Sequence, residues 1–331
     1  MKLNFGILST AKIAMEKVIP AMVSSENFQV HGIASRDITK ANAAAKQFNI
    51  QKTYGSYEEM ISDPDIHVIY NPLPNHLHVE YTLKCIEAGK HVLCEKPIAL
   101  NSADINTLIQ ARDKYKVKVG EAFMVKTHPQ WIKAKNIVQE GKLGHVKLIQ
   151  GCFSYFNNDP NNIRNVASFG GGAMWDIGCY PVMTSRFVLN EEPQKVLALM
   201  EYDKEFGTDI LSSVVMQFPT TQAVFTVGTQ MVPYQRMHFM GSEKRLEIVI
   251  PFNSPNDRPT KITLDEGGIY QNNLETIEID TCDQYALQAE DFIRSIIDDS
   301  KEPVSLEEAL ANTRVLEAIF ISAKEERWVR L

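Results

Sequence analysis

No cysteine pair in this chain has the spacing of a metal or redox site. The five cysteines, Cys85, Cys94, Cys152, Cys179 and Cys282, are scattered, with no CxxC among them. Neither a zinc centre nor a disulfide framework is expected, and the cysteines read as structural residues in a reducing compartment. Positive charge is short as well. Lys and Arg number 34 against 41 Asp and Glu, a net charge of −7, which argues against a nucleic-acid partner, since phosphate binding needs clustered cations. No apolar run approaches the roughly 18 residues of a membrane-spanning helix. The chain opens on a strand-like segment without a basic, apolar leader. The expectation is a cytoplasmic protein with no membrane partner and no metal.

What is present is an ordinary globular composition over 331 residues, long enough for two domains. Up to residue 122 the pattern alternates. Strands are expected at 3–8, 28–34, 53–54, 67–70, 91–94 and from 118, with helices at 13–24, 37–48, 57–61, 76–88 and 102–115. Such alternation implies a doubly wound parallel sheet. From 123 to 331 the pattern changes. Helices are expected at 129–140, 174–189, 283–298 and 305–326, the last opened by the capping-box residues Ser305 and Glu308. Strands are expected at 146–156, 195–202, 210–218, 222–228, 236–240, 244–250 and 260–264. Successive strands without helices between them suggest an open, mainly antiparallel sheet in an α+β domain. The fold class is therefore α/β, with a boundary at 122/123.

Glycine is missing where a nucleotide fingerprint would have it. Between the first strand and first helix stand Ser9, Thr10, Ala11, Lys12, Ile13 and Ala14. A dinucleotide site needs a tight turn, close backbone approach and exposed N–H groups there, and small residues meet those needs in part. An ordinary strand–helix turn has the same outline. The second strand ends Ala34-Ser35-Arg36-Asp37. Ser35 and Arg36, with Lys40 nearby, can bind a 2′-phosphate, which favours NADP(H) over NAD(H). The competing reading leaves Arg36 as a solvated charge and puts Asp37 on the ribose. After the fourth strand, Asn71, Pro72, Leu73 and Asn75 form a loop expected near the nicotinamide. His76 reads as a helix-start or ribose contact, and His78 as a surface residue.

Two further features carry chemistry. Glu95-Lys96-Pro97 closes the fifth strand. Charged residues at the carboxyl end of a buried strand are poorly placed for packing and well placed for a ligand. The second feature is the glycine run Gly170-Gly171-Gly172 before Trp175, Asp176 and Tyr180. Asp176 and Tyr180 are four apart and share one face of a helix. A neighbouring ammonium such as Lys96 would favour the phenolate of Tyr180 and fit it for proton transfer. The plain alternative is a helix cap at Asp176 and a packed Tyr180. Together with the nucleotide end, these features point to a nicotinamide-dependent oxidoreductase.

The pieces just named, with Gly6 to Ala14, Glu121-Ala122-Phe123-Met124 and His128-Pro129-Gln130, resemble the Gfo/Idh/MocA oxidoreductase family along essentially the whole chain. Asn162-Ile163-Arg164, and tyrosine at 180 where the inositol dehydrogenase branch usually has histidine, are most similar to the dimeric dihydrodiol dehydrogenases and NADP-dependent D-xylose dehydrogenases. The resemblance implies an N-terminal Rossmann domain and a C-terminal domain whose open sheet face forms a homodimer or a higher homo-oligomer. It implies catalysis by Lys96, Tyr180 and Asp176, with Tyr180 as general acid/base and Lys96 at the nicotinamide ribose and substrate hydroxyl. Glu95 joins the cofactor site, and Phe123, Met124, Arg164 and Trp175 join the substrate pocket. A cis Lys96–Pro97 bond is part of the same expectation. The substrate implied is a small polyhydroxylated molecule, a sugar or cyclic diol. A keto-sugar reductase uses the same residues, and a non-catalytic NADP(H) sensor would have no need of a proton-transfer pair.

Overall fold

The computed structural model describes residues 2–23, 25–268, 270 and 273–331; Ser24, the last residue of the helix expected over 13–24, lies outside them. The chain groups into two units, Met1–Thr127 with Asp283–Leu310, and His128–Cys282 with Ala311–Leu331.

The first unit is built on six parallel strands: β1 (Leu3–Leu8), β2 (Phe28–Ala34), β3 (Lys52–Tyr54), β4 (Val68–Asn71), β5 (His91–Glu95) and β6 (Val119–Ala122). Their order is β3-β2-β1-β4-β5-β6, the doubly wound arrangement whose direction reverses between β1 and β4. The middle strands are apolar on both faces because helices cover both. Phe5, Ile7, Val68, Tyr70 and Leu93 pack on one side, and Leu8, Ile69, Val92 and Cys94 on the other. Asp37, Ser56 and Asn101 each cap the following helix with a side-chain oxygen.

Residues 283–310 pack with this unit, whereas the sequence reading placed everything after 122 in one second domain. Ala289, Phe292 and Ile293 of the helix Gln284–Ile297 join the cluster of Phe5, Ile7 and Tyr70, and Leu306 and Ala309 join the other cluster. Helical periodicity identifies the face that is buried, but not the sheet that buries it.

Among the described residues, the second unit holds nine strands: β7 (Val146–Phe156), β8 (Lys195–Tyr202), β9 (Asp209–Gln217), β10 (Gln222–Gly228), β11 (Gln230–Gly241), β12 (Arg245–Ile248), β13 (Thr260–Asp265), β14 (Glu275–Ile279) and β15 (Val329–Arg330). They run in the order β14-β13-β12-β11-β7-β10-β9-β8-β15. Every neighbouring pair is antiparallel except β10 with β7. The edge strands β14 and β15 were not foreseen, and β11 is longer than expected. Trp131, on the helix Pro129–Gln139, is fully buried against Phe239 and Phe252 and donates its indole N–H to the Pro251 carbonyl at 2.7 Å. Among the described residues, no helix is long and apolar enough to cross a membrane.

Because Phe292 is fully buried in the core of the first sheet, Phe292→Ala should lower the unfolding free energy by about 3–5 kcal/mol. Urea unfolding followed by circular dichroism measures this. A loss below about 1 kcal/mol would mean that the segment does not belong to that core.

Candidate active site

In the first unit, the expected cofactor residues fall at the carboxyl ends of parallel strands or, for Lys40, Asn75 and His76, on the helices that follow them. Ser9 follows β1, Ser35 and Arg36 follow β2, Asn71 ends β4, and Glu95 ends β5 with Lys96 after it. That end of a doubly wound sheet is where ligands bind. Ser9 stands where a glycine would and adopts a glycine's conformation, φ +81°. Local bonds hold it there. Its N–H donates to the Ala34 carbonyl at 2.9 Å, and its Oγ accepts the Ala11 N–H at 3.1 Å. The turn then enters a helix whose Ala14–Val18 stretch is wound as a π-helix, with Ala14 and Val18 buried.

At the end of β2 the acid caps its own helix. Asp37 Oδ1 accepts the Thr39 N–H at 3.0 Å and its hydroxyl at 2.5 Å. These bonds hold the carboxyl below its ordinary range. Ser35 is buried, and its Oγ accepts the Asp37 N–H at 3.2 Å. Arg36 and Lys40 are exposed. The Arg36 guanidinium lies by the hydroxyl of the buried Tyr57, partly offsetting the upward push that burial gives that phenol. This corner holds a hydroxyl, two cations and the capped Asp37 carboxylate.

The loop after β4 differs from the expectation in two places. Asn71 is fully buried, and its side chain organises the loop. Nδ2 donates to the His78 carbonyl and Thr82 Oγ1, both at 3.2 Å, and Oδ1 accepts the Leu73 N–H at 3.3 Å. A direct contact from Asn71 to a ligand would have to come from its backbone. His78, expected at the surface, is 1% exposed. It belongs to the inward stripe of the helix Asn75–Glu87 with Thr82, Cys85 and Ile86, a spacing that keeps all four on one face. His76 on the same helix is exposed, and Pro72 and Leu73 are buried.

The peptide carrying Lys96 is fixed on both sides. Before it, Glu95 Oε1 accepts the hydroxyl of fully buried Tyr70 at 2.6 Å. Burial, then Glu95, pushes that phenol well above its ordinary range. After it, Lys96–Pro97 is cis, the Pro97 carbonyl lies 2.8 Å from His78 Nδ1, and the Ile98 N–H donates to Glu121 Oε1 at 2.9 Å. Phe123 and Met124 are buried in the same unit.

In the second unit, Asp176 is the centre of a charged cluster. Its Oδ2 accepts the Tyr155 hydroxyl at 2.6 Å and Arg164 Nε at 2.9 Å. Asp176 holds the guanidinium above its ordinary range, with Tyr155 and Tyr180 contributing; burial, then Asp176, pushes the Tyr155 phenol up. Tyr180 begins the helix Cys179–Leu189 and packs against Phe153 and Phe252. Trp175 stacks on Phe320 at 5.3 Å. Asp176 therefore lies with Arg164 and Tyr155, and not at a cap: it sits inside the π-helical turn Met174–Gly178.

That turn is held by a residue the sequence reading missed. Asp209, at the start of β9, is 2% exposed, and its Oδ2 accepts the Met174 N–H at 2.8 Å and the Ser212 hydroxyl at 2.7 Å. Burial raises its pKa, with Asp176 adding to the effect. Gly172, at φ +111°, lies so close that a Cβ there would meet Asp209 Oδ1 at 2.1 Å. Tyr155 was missed too. Its only sequence signal is a tyrosine near the end of a strand, and an acid opening an apolar strand is the only signal for Asp209.

The model of an oxidoreductase family with an NAD-binding Rossmann fold matches residues 3–123, and that of the GFO/IDH/MocA C-terminal domain matches residues 131–247. The chain is 44% identical over 327 residues to an uncharacterized oxidoreductase, ORF334, of Rhizobium meliloti, covering 98% of each chain. It is 31% identical over 331 residues to D-xylose 1-dehydrogenase (NADP(+)) 2 of Haloferax volcanii, covering 99% of each. Among solved structures, it superposes on the aldose-aldose oxidoreductase of Caulobacter crescentus complexed with glycerol with a TM-score of 0.91, at 25% identity and full coverage of both chains. A parallel dinucleotide-type sheet, a second mostly antiparallel one and matches across both units lead to one conclusion: the chain belongs to the Gfo/Idh/MocA family of oxidoreductases.

Proposed function

We propose that the protein is an NADP(H)-dependent oxidoreductase that moves a hydride between the CH–OH carbon of a sugar or cyclic diol and nicotinamide. The observation that carries this reading is Asp176, locked by Tyr155 and Arg164 one helical turn before Tyr180. The pairing gives a substrate with neighbouring hydroxyls both an acceptor and a proton-transfer group. The relatives described above act, by their names, on D-xylose and on aldoses.

The nucleotide corner suits the cofactor. Ser9, Thr10, Ala11, Lys12 and Ile13 form a tight turn into a helix start, where backbone N–H groups can meet a pyrophosphate. Ser35, Arg36 and Lys40 suit a 2′-phosphate, and Asp37 is engaged at its own helix cap. When bound, the nicotinamide supplies the hydride acceptor or donor. In the oxidative direction Tyr180 takes the substrate's hydroxyl proton, and in the reductive direction it returns it. Lys96 holds the oxygen that changes between hydroxyl and carbonyl. Asp176 accepts a hydrogen bond from an adjacent hydroxyl, and the Arg164 cation favours the charged form of Tyr180. Leu199, Val232 and Tyr234, exposed on the second sheet, suit a face for a second copy of the chain.

Tyr180→Phe should lower kcat by roughly 10²–10⁴-fold, the usual worth of a general acid/base. Its NADPH affinity, read by fluorescence titration, should stay near that of the parent protein. Unchanged turnover would remove Tyr180 from the chemistry. Arg36→Ala should raise the KM for NADP+ by roughly 10–100-fold, from a charged hydrogen bond of about 1.5–3 kcal/mol, and leave the KM for NAD+ almost unchanged. Initial rates with xylose, glucose and cyclic diols under both cofactors measure this. A parent protein that turns over with NAD+ alone would overturn the phosphate assignment.

A further inference from the structure

His78 occupies a position that the proposed reaction does not yet use. Its two ring nitrogens both face backbone oxygens. Nδ1 lies 2.8 Å from the Pro97 carbonyl oxygen, and Nε2 lies 2.6 Å from that of Leu73. A neutral imidazole carries one N–H. With either tautomer, the other nitrogen would turn a lone pair toward a carbonyl oxygen at hydrogen-bond distance. Either nitrogen can carry the N–H and donate to the carbonyl it faces. Burial pulls the ring's pKa down to about 4 even against the upward push of the two carbonyls, and Lys96 and His76 add a smaller downward push. At neutral pH the ring is therefore neutral, donating to one carbonyl while its other nitrogen lies against the second.

The two carbonyls belong to different loops. Leu73 lies in the loop after β4, where Asn71 Oδ1 accepts its N–H. Pro97 follows Lys96 in the loop after β5. The strands themselves are paired, Asn71 opposite Cys94. The ring adds a cross-link just beyond the last pair, where the sheet no longer ties the chain. We propose that His78 is a positioning residue: its ring, seated between the Leu73 and Pro97 carbonyls, holds the loop after β4 and the Lys96–Pro97 peptide as one piece. The inference rests on the assignment of Lys96 to the reaction, and His78 itself touches neither substrate nor cofactor.

The first test needs no turnover. In ¹⁵N-histidine-labelled protein at neutral pH, the His78 ring should show one protonated nitrogen whose N–H is protected from exchange by its carbonyl partner. A ring N–H that exchanges as fast as that of an exposed histidine would overturn the clamp. The second test compares His78→Gln, which keeps a donor, with His78→Leu, which fills the space without one. Leu should lower kcat by about 10²-fold, the effect of an ångström-scale misplacement of a catalytic group, and Gln should fall between it and the parent. If Leu lowers only the melting temperature and keeps the parental kcat, His78 is a packing residue and the proposal fails. If the Leu variant does not fold, the comparison of Gln with the parent decides, and a parental kcat there overturns it. A parent protein inactive on every sugar and diol with either cofactor would remove the reaction that His78 is said to serve, and the positioning role with it, while the NMR result would still judge the clamp.

Discussion

A polar group shut away from water must find its partner inside the protein. At the carboxyl ends of β4, β5 and β6 this constraint shapes the loops. Asn71, Tyr70, His78 and Glu121 are buried, and each bonds to a group outside its own strand or helix. Asn71 turns the chain at Leu73, Tyr70 holds Glu95, Glu121 holds the Ile98 N–H, and His78 faces both Leu73 and Pro97. A loop ordered only by its own backbone would open easily. Here, side chains anchored in the core reach out and fix it. The strand ends thereby become places where a lysine can be presented in one orientation.

The second unit meets the same need with different groups. The glycine run brings the chain close to Asp209, which accepts the first N–H of the π-helical turn. Asp176 then projects from that turn into Tyr155 and Arg164. The helix and β9 thus share one carboxylate, as the first unit's loops share one imidazole. In both units a side chain from outside the loop sets the loop's geometry, and a change at that side chain acts on residues several positions away.

This explains which parts of the structure were legible in the sequence. Parallel alternation up to β6 is a local pattern, so the first sheet could be read from it. The strand-rich stretch after residue 195 could be read for the same reason. Short edge strands such as Val329–Arg330 carry too few residues for a pattern. The packing of 283–310 on the first sheet is a choice between two apolar surfaces, which periodicity does not encode. Of the candidate site, residues at strand ends were legible because topology gives strand ends a function. His78 was misplaced because a polar side chain on a helix is usually solvated, and its two carbonyl partners come from loops 5 and 19 residues away in sequence. Asp209 and Tyr155 were missed because their partners lie 35 and 21 residues away. Ser9 is the informative exception. The missing glycine weakened the nucleotide reading, yet the serine adopts the glycine conformation because its own hydroxyl caps Ala11.

Asp209 also shows how such a site trades against stability. Burial raises its folded-state pKa above that of an exposed aspartate. A carboxyl raised in this way favours the fold below its unfolded pKa, and the advantage is lost as pH rises through the folded value. Ionising the group is therefore a burden on the fold, lightened by the Met174 N–H and the Ser212 hydroxyl. Asp176 increases that burden, because a second carboxylate in the same unit repels the first. An apolar residue at position 209 would relieve the repulsion but leave the Met174 N–H buried without its acceptor. An asparagine would keep an acceptor and remove the charge. A carboxyl buried at some cost in order to hold one backbone N–H serves the geometry of the turn rather than the packing of the fold.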